Sequence, residues 1–178
     1  MRPVAIPGKL IALRELDDGD AEALHAVYGN PKVTGSLSFD PRTPEHCAAI
    51  ITAAQADAAA DPRQVYMLAV ADLAGLLVGA ARLGLGEWRS AQFGIAIRPD
   101  RWGRGEGTEV VRLLQRLAFR DLGVHRFWGA RSPSNAASGR LMAAAGMTED
   151  GRIRSHVLRH GHWEDSCTAS ILENEFDG

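Results

Sequence analysis

The chain has 178 residues, 46% of them hydrophobic and 24% charged, with a formal net charge of -2. That size lets one domain bury a core without disulfides or metal, and the composition excludes both a disordered chain and a membrane protein. The near-neutral balance argues against general nucleic-acid binding, which needs a basic footprint to displace counterions from phosphate.

In chain order, Leu10 to Arg14 reads as the first strand. A helix opening near Asp17 or Asp18 follows and stops at Gly29-Asn30-Pro31, a breaker cluster. A second helix is expected from Thr43, with Pro44 at its first position, through an alanine-rich stretch to about Ala60, where Asp61-Pro62 ends it. Gln64 to Asp72 and Leu76 to Leu83 are apolar runs around a turn at Leu73-Ala74-Gly75, and read as adjacent antiparallel strands. Ala91 to Arg98 is a third strand of that kind. A glycine-rich segment then leads into a helix whose apolar positions Val110, Leu113, Leu114, Leu117 and Leu122 keep helical spacing. A strand at Val124 to Ala130, a loop at Ser132-Pro133, a short helix from about Asn135 and a stop at Gly146 come next. Two closing strands, roughly Met147 to Leu158 and Trp163 to Leu172, flank a turn containing Gly161. The pattern predicts an α+β domain over residues 1–178: a mixed, mostly antiparallel sheet of about seven strands with helices on both faces.

The cysteines, Cys47 and Cys167, lack metal-ligand spacing and read as buried thiols. Neither a signal-length apolar stretch in Met1 to Gly8 nor a membrane-length apolar run occurs, so a cytoplasmic location is expected.

The segment Arg101-Trp102-Gly103-Arg104-Gly105-Glu106-Gly107-Thr108 lies where a strand ends and a helix begins, a place where free N–H groups and the helix dipole favour phosphate. Its glycines would keep side chains out of the way, although glycine also serves loops for conformational reasons alone. A Walker loop is excluded because no Gly-Lys pair precedes Ser or Thr. A dinucleotide fingerprint would need glycine at Thr108, and its acidic residue would fall on Asp121 at a helix end.

Taken in order, Gly94, Trp102-Gly103-Arg104-Gly105, Gly107-Thr108-Glu109, Asn135 with Ser138, Ala145-Gly146-Met147, and Gly161-His162-Trp163 with Asp165-Ser166 resemble the GNAT N-acetyltransferase superfamily. Within it they are most similar to the ribosomal-protein-alanine (RimJ/RimL-like) branch. The resemblance covers nearly the whole chain. It implies acetyl-CoA as co-substrate, held by the segment from Trp102 through Gly103, Arg104, Gly105, Glu106 and Gly107 to Thr108, whose amides from about Arg104 onward would cradle the pyrophosphate. It also implies that the strand carrying Gly94, Ile95, Ala96 and Ile97 splays from Val124 to Ala130, so that the pantetheine arm adds as a strand. Asn135 resembles the family asparagine beside the pantetheine, and Arg104 and Arg140 become partners for CoA phosphates.

Two departures stand out. Many members carry glutamate near Gln92, and many carry a tyrosine seven residues after the asparagine, where this chain has Met142. In the branch with serine at the Ser138 position the hydroxyl faces the sulfur, which makes Ser138 the catalytic candidate, set against a surface serine bonding locally to backbone. The implied reaction is direct attack of a neutral amine on the thioester, with a backbone N–H near Ile95 or Ala96 meeting the oxyanion. Making a lysine-like amine neutral at pH 7 costs about 4.6 kcal/mol and an α-amine about 1.4 kcal/mol, so a site without an evident base should prefer a peptide N-terminus or a small amine of lowered pKa.

Glu87, Glu109 and one of His156, His160 and His162 are the remaining base candidates, and the three histidines are not expected to hold a metal. Trp88, Trp128 and Trp163 either line an acceptor pocket or pack in the core. The resemblance places the acceptor walls at Val33 to Pro44 and Arg152 to Glu164, with a small-molecule amine or peptide as partner, neither nucleic acid nor membrane, and a homodimer left open. Two other readings stand beside this one: a non-catalytic acyl-CoA-binding sensor, and a regulatory domain that takes ATP or NAD on the glycine loop.

Overall fold

The computed structural model describes residues 3–159 and 161–178. Eight strands form one sheet in the order β1-β2-β3-β4-β5-β6-β8-β7: β1 Ala5–Pro7, β2 Ile11–Glu15, β3 Val65–Asp72, β4 Leu77–Gly86, β5 Ser90–Ile97, β6 Arg126–Arg131, β7 Thr148–Arg159 and β8 His162–Leu172. Every neighbouring pair is antiparallel except β5 and β6, which run parallel. The sheet has one strand more than expected. β1 is too short to show alternation, and pairing with β2 together with a Val4 N–H bond to Glu15 (3.0 Å) holds it in place.

The helices are α1 Ala21–Tyr28, α2 Pro31–Thr34, α3 Pro44–Ala59, α4 Glu106–Arg116 and α5 Ala136–Ala144. Their starts follow local chemistry. Asp17 accepts the Gly19 N–H while Asp20 accepts the Asp17 N–H, a capping box that opens a 3-10 turn running into α1. Thr43 caps α3 by accepting the His46 N–H, with Pro44 in the first turn. Gly29-Asn30-Pro31 does two jobs where only a stop was expected: Gly29 closes α1, and Asn30 then accepts the Lys32 N–H to open α2.

Two apolar cores sandwich the sheet. On one face Leu24, Val27, Cys47 and Ile51 of α1 and α3 pack on Met67, Ala69, Leu77 and Ala80. On the other, Val110, Leu114 and Leu117 lie over Leu13, Leu68, Leu83, Phe93 and Phe127, and Met142 of α5 joins them. Leu122 is only half-buried, because after Arg116 the helix widens into a π-helical turn, Leu117–Asp121, that shifts its side chain off the stripe. Cys47 is buried as expected, but Cys167, in the middle of β8, is only half-buried.

Asp20 ties β2 to the start of α1. Burial alone would raise its carboxyl, yet the two-pronged pair with Arg14 (2.7 and 2.7 Å) and the Asp17 N–H hold it below the usual carboxylate range. Its contribution to stability is therefore complete above the unfolded value of about 4 and is lost as pH falls through the depressed folded value. Urea unfolding from pH 7 to pH 2 should show Asp20→Asn less stable than wild type at pH 7, with the two converging at the acid end; a constant gap across that range refutes the linkage.

Candidate active site

The site grows out of the end of β5. Past Ile97 the chain makes a 3-10 turn, Pro99–Arg101, and the Trp102 indole N–H donates back to the Ile97 carbonyl at 2.8 Å, which closes the loop. Gly103 and Gly105 then adopt left-handed conformations, φ +76° and +82°, that other residues reach only with strain. Gly105 stands at the N-cap of α4 without a capping side chain. As a result, none of the main-chain N–H groups from Gly103 to Thr108 donates to a protein acceptor among the described residues. Six consecutive free donors at a helix mouth form a strong anion cradle.

The carboxylates nearby are kept from spoiling that field. Glu106 is buried and held by Arg101 in a two-pronged pair (2.7 and 3.1 Å), so its charge is neutralised beside the cradle. Glu109 accepts the N–H groups of Lys9, Leu10 and Ile11 at 2.7, 2.8 and 3.0 Å, which fastens the mouth of α4 to the start of β2 and removes this residue as a base. Gly107 has a different task from its neighbours. A Cβ there would stand 2.6 Å from Leu141, so its smallness lets α4 and α5 approach each other.

The second half of the site is an opening in the sheet. β5 and β6 pair only through Ser90, Ala91 and Gln92, opposite Arg126, Phe127 and Trp128. Beyond that, the Phe93 ring stacks on Phe127 (4.8 Å, 7°) and fills the space over Gly129. The strands diverge, and a cleft of about 650 Å³ runs from the gap to the glycine turn. It brings together the backbone of Ile95 to Ile97, the segment Trp102 to Thr108, and Asn135, Ser138 and Arg140 on α5, so all the residues expected to contact CoA share one cavity. Arg98 N–H points to Val78 of β4 and the Ile97 carbonyl points away to Trp102, and strand alternation then puts the Ile95 N–H on the open edge and that of Ala96 toward β4. Of the two oxyanion donors expected, Ile95 is the one facing the cleft.

On the far wall Asn135 caps α5 by accepting the Ser138 N–H at 3.0 Å. The Ser138 hydroxyl bonds to no protein group among the described residues, so it is not the locally bonded serine that was the alternative. Arg104 and Arg140 line the cleft, exposed and without ion pairs among those residues, whereas Arg131 nearby is occupied by Glu149 at 3.0 Å. Met142, at the expected tyrosine position, is a core residue 4% exposed that also lines the cleft. Val33, Ser36 and Leu37, from the stretch expected to wall the acceptor, line the cleft, and an Arg159 bond to the Gly35 carbonyl draws the β7–β8 hairpin against them. The sequence indicated these stretches but not their individual side chains, because contacts more than a hundred positions apart select them.

The other candidates separate cleanly. Glu87 and Trp88 lie in the β4–β5 turn, at the end of β5 away from the cleft, and Trp88, 89% exposed, neither lines the cleft nor packs in the core. Trp163 is 64% exposed on the outer hairpin, and Trp128 is half-buried beside Gln92. His156 is half-buried with Nδ1 3.0 Å from the Ser166 hydroxyl, His162 is exposed, and His160 lies outside the described residues. Among the described residues no group of three or more His, Cys, Asp or Glu is gathered for a metal, and no helix is long and apolar enough to cross a membrane.

An open mixed sheet parted between two parallel strands, above an uncapped helix mouth, is the architecture of the GNAT acetyltransferases. The chain belongs to that family: residues 11–148 match the family model described as an acetyltransferase (GNAT) domain, and the protein is an acetyltransferase. An uncharacterised N-acetyltransferase of Bacillus subtilis (strain 168), YoaA, is 28% identical over 187 residues, spanning 97% of this chain and 98% of its own. Among solved structures, Mycobacterium smegmatis RimJ in complex with CoA-disulfide superposes with a TM-score of 0.83 at 21% identity, over 99% of this chain and 88% of its own. Spermidine N-acetyltransferase from Vibrio cholerae, in complex with CoA and spermine, gives 0.82 at 20%, over 94% and 98%. At those identities the likeness is one of fold, and the two differ too little to choose between their acceptors.

The wedge between the strands is testable. A Cβ on Gly129 would stand 2.4 Å from the Phe93 ring, so Gly129→Ala should destabilise the protein by about 1–3 kcal/mol in urea unfolding. Adding Phe93→Leu should make the double variant less destabilised than the sum of the singles. Strict additivity would show that the two residues do not compete for one space.

Proposed function

We propose that the chain, as one domain over residues 1–178, transfers acetyl from acetyl-CoA to a primary amine by direct attack on the thioester, as a RimJ/RimL-like cytoplasmic enzyme. The observation that carries this reading is the row of free N–H donors from Gly103 to Thr108, set in the same cleft as the parted strands. The cleft fits the co-substrate: a main-chain cradle and two unpaired arginines for phosphates, and an open strand edge for an extended amide-bearing arm.

In this reading the cradle, Arg104 and Arg140 bind the phosphates, and the free edge of β5 aligns the arm through its main chain. Acetyl-CoA brings an activated acyl group. The Ile95 N–H, held by the β4–β5 ladder, is the donor for the oxyanion that forms as the amine adds. Ser138 is held in place by the Asn135 cap, with its hydroxyl free to donate to the departing thiolate. Burial and backbone placement supply preorganisation, so no covalent enzyme intermediate is needed. With core methionine at position 142 and Gln92 on β5, the acceptor reaches neutrality through its own acidity. A substrate α-amine fits that constraint better than an alkylamine.

Thiol release from acetyl-CoA with a panel of α-amines should therefore rise about tenfold per pH unit below the acceptor's pKa and then level off. Ser138→Ala should lower kcat about 10²-fold while leaving acetyl-CoA binding nearly intact. Tight acetyl-CoA binding without turnover on any amine would favour the sensor reading. Stabilisation by ATP or NAD and not by CoA would favour a nucleotide domain.

A further inference from the structure

A smaller hollow of about 180 Å³ adjoins the cleft on the sheet face that carries α1 and α3, lined by Arg82, Gly84, Ser90, Gln92 and Trp128 among others. Its position is set by register. Arg82 stands directly opposite Gly94, a cleft residue, while Gly84, Gln92 and Trp128 sit side by side across β4, β5 and β6. The hollow thus begins where the cleft ends, one strand repeat of about 7 Å upstream on β5.

The Arg82 side chain turns along its own strand. A Cβ on Gly84 would lie 2.9 Å from Nη1, 3.2 Å from Nη2 and 3.3 Å from Cζ, so the guanidinium lies over the bare Gly84 backbone. It forms no ion pair and donates to no protein group among the described residues. The acids at the start of the edge strand β7 are engaged with other groups: Asp150 with Arg126 (2.7 Å) and the Ser170 hydroxyl (2.8 Å), and Glu149 with Arg131. A second cation lies on this side, Arg42, stacked at 4.5 Å on Phe39, whose ring meets Tyr28 edge-on at 5.2 Å. Burial keeps the Tyr28 phenol protonated, so it adds no negative charge there.

An exposed guanidinium without a protein partner among the described residues, bordered by a carboxamide, a hydroxyl and an indole, suits a planar anion. We propose that the acceptor is an amine that also carries a carboxylate, as an amino acid does, and that Arg82 is the specificity-determining residue that grips this carboxylate while the amine enters the cleft at Gly94. The proposal rests on the amine-acetylation reading above and narrows it. A polyamine is disfavoured, since its second ammonium would face Arg82.

The test uses matched acceptors with the full chain and acetyl-CoA: L-aspartate, L-glutamate, L-asparagine, L-glutamine, the α-amides of all four, and spermidine. Each amino acid should exceed its own α-amide by about tenfold or more in kcat/KM, with the difference in KM. Arg82→Gln should abolish that discrimination, and Arg82→Lys should restore part of it. Equal or better turnover of the α-amides or of spermidine overturns the proposal, as does discrimination that survives in Arg82→Gln. Calorimetric binding of acetyl-CoA without acetylation of any probe also overturns it, while absence of acetyl-CoA binding overturns the underlying reading instead.

Discussion

Phe93 occupies the room that a side chain on Gly129 would need, and most of what makes this molecule a transferase follows from that exchange of space. Because the ring is stacked on Phe127 within the core, it cannot swing aside, and the two parallel strands cannot close beyond Gln92. Free main-chain groups on β5 then face a cavity instead of a neighbouring strand. A sheet interior does not normally leave such groups unpaired, since each bare donor or acceptor away from water costs free energy. Here the gap is open to solvent, and its polar edge is available to a ligand that can complete the ladder.

The helix mouth obeys the same logic. α4 begins without a side-chain cap, and its first N–H groups, with those of the glycine turn, are left without acceptors. What keeps this end in place is contact from behind: Glu109 bound to three amides at the start of β2, Glu106 neutralised by Arg101, and Gly107 pressed against Leu141. Polar residues that would otherwise compete for the cradle are turned into its scaffold. The donors are therefore preorganised and cost little further reorganisation when an anion arrives.

The acceptor selection proposed for Arg82 belongs to a different part of the sheet. The face carrying α1 and α3 is covered only over its first strands, and beyond them Arg82, Gln92 and Trp128 stand in a row in the open. The co-substrate cleft and this row meet at Gly94. Fold likeness near 20% identity, as to the two CoA complexes, carries the architecture and leaves the acceptor to individual side chains.

Local chemistry was enough to read much of the molecule from the sequence. Capping residues, breakers and period-2 or helical spacing gave the helices α1 and α3 to α5 and seven of the eight strands, because those signals act between residues a few positions apart. The glycine turn and Asn135 with Ser138 were legible for the same reason. Other features were decided only when distant segments met. The short β1 exists because β2 receives it, and Glu109 is a fastening because β2 presents three amides to it. Ile95 rather than Ala96 faces the gap because β4 claims the other edge, and Arg82 stands beside the cleft because its register partner is Gly94. The sequence determined which pieces would form and which of them could hold phosphate. Tertiary structure decided which polar groups remained free, because a group is free only when no partner from elsewhere in the chain reaches it.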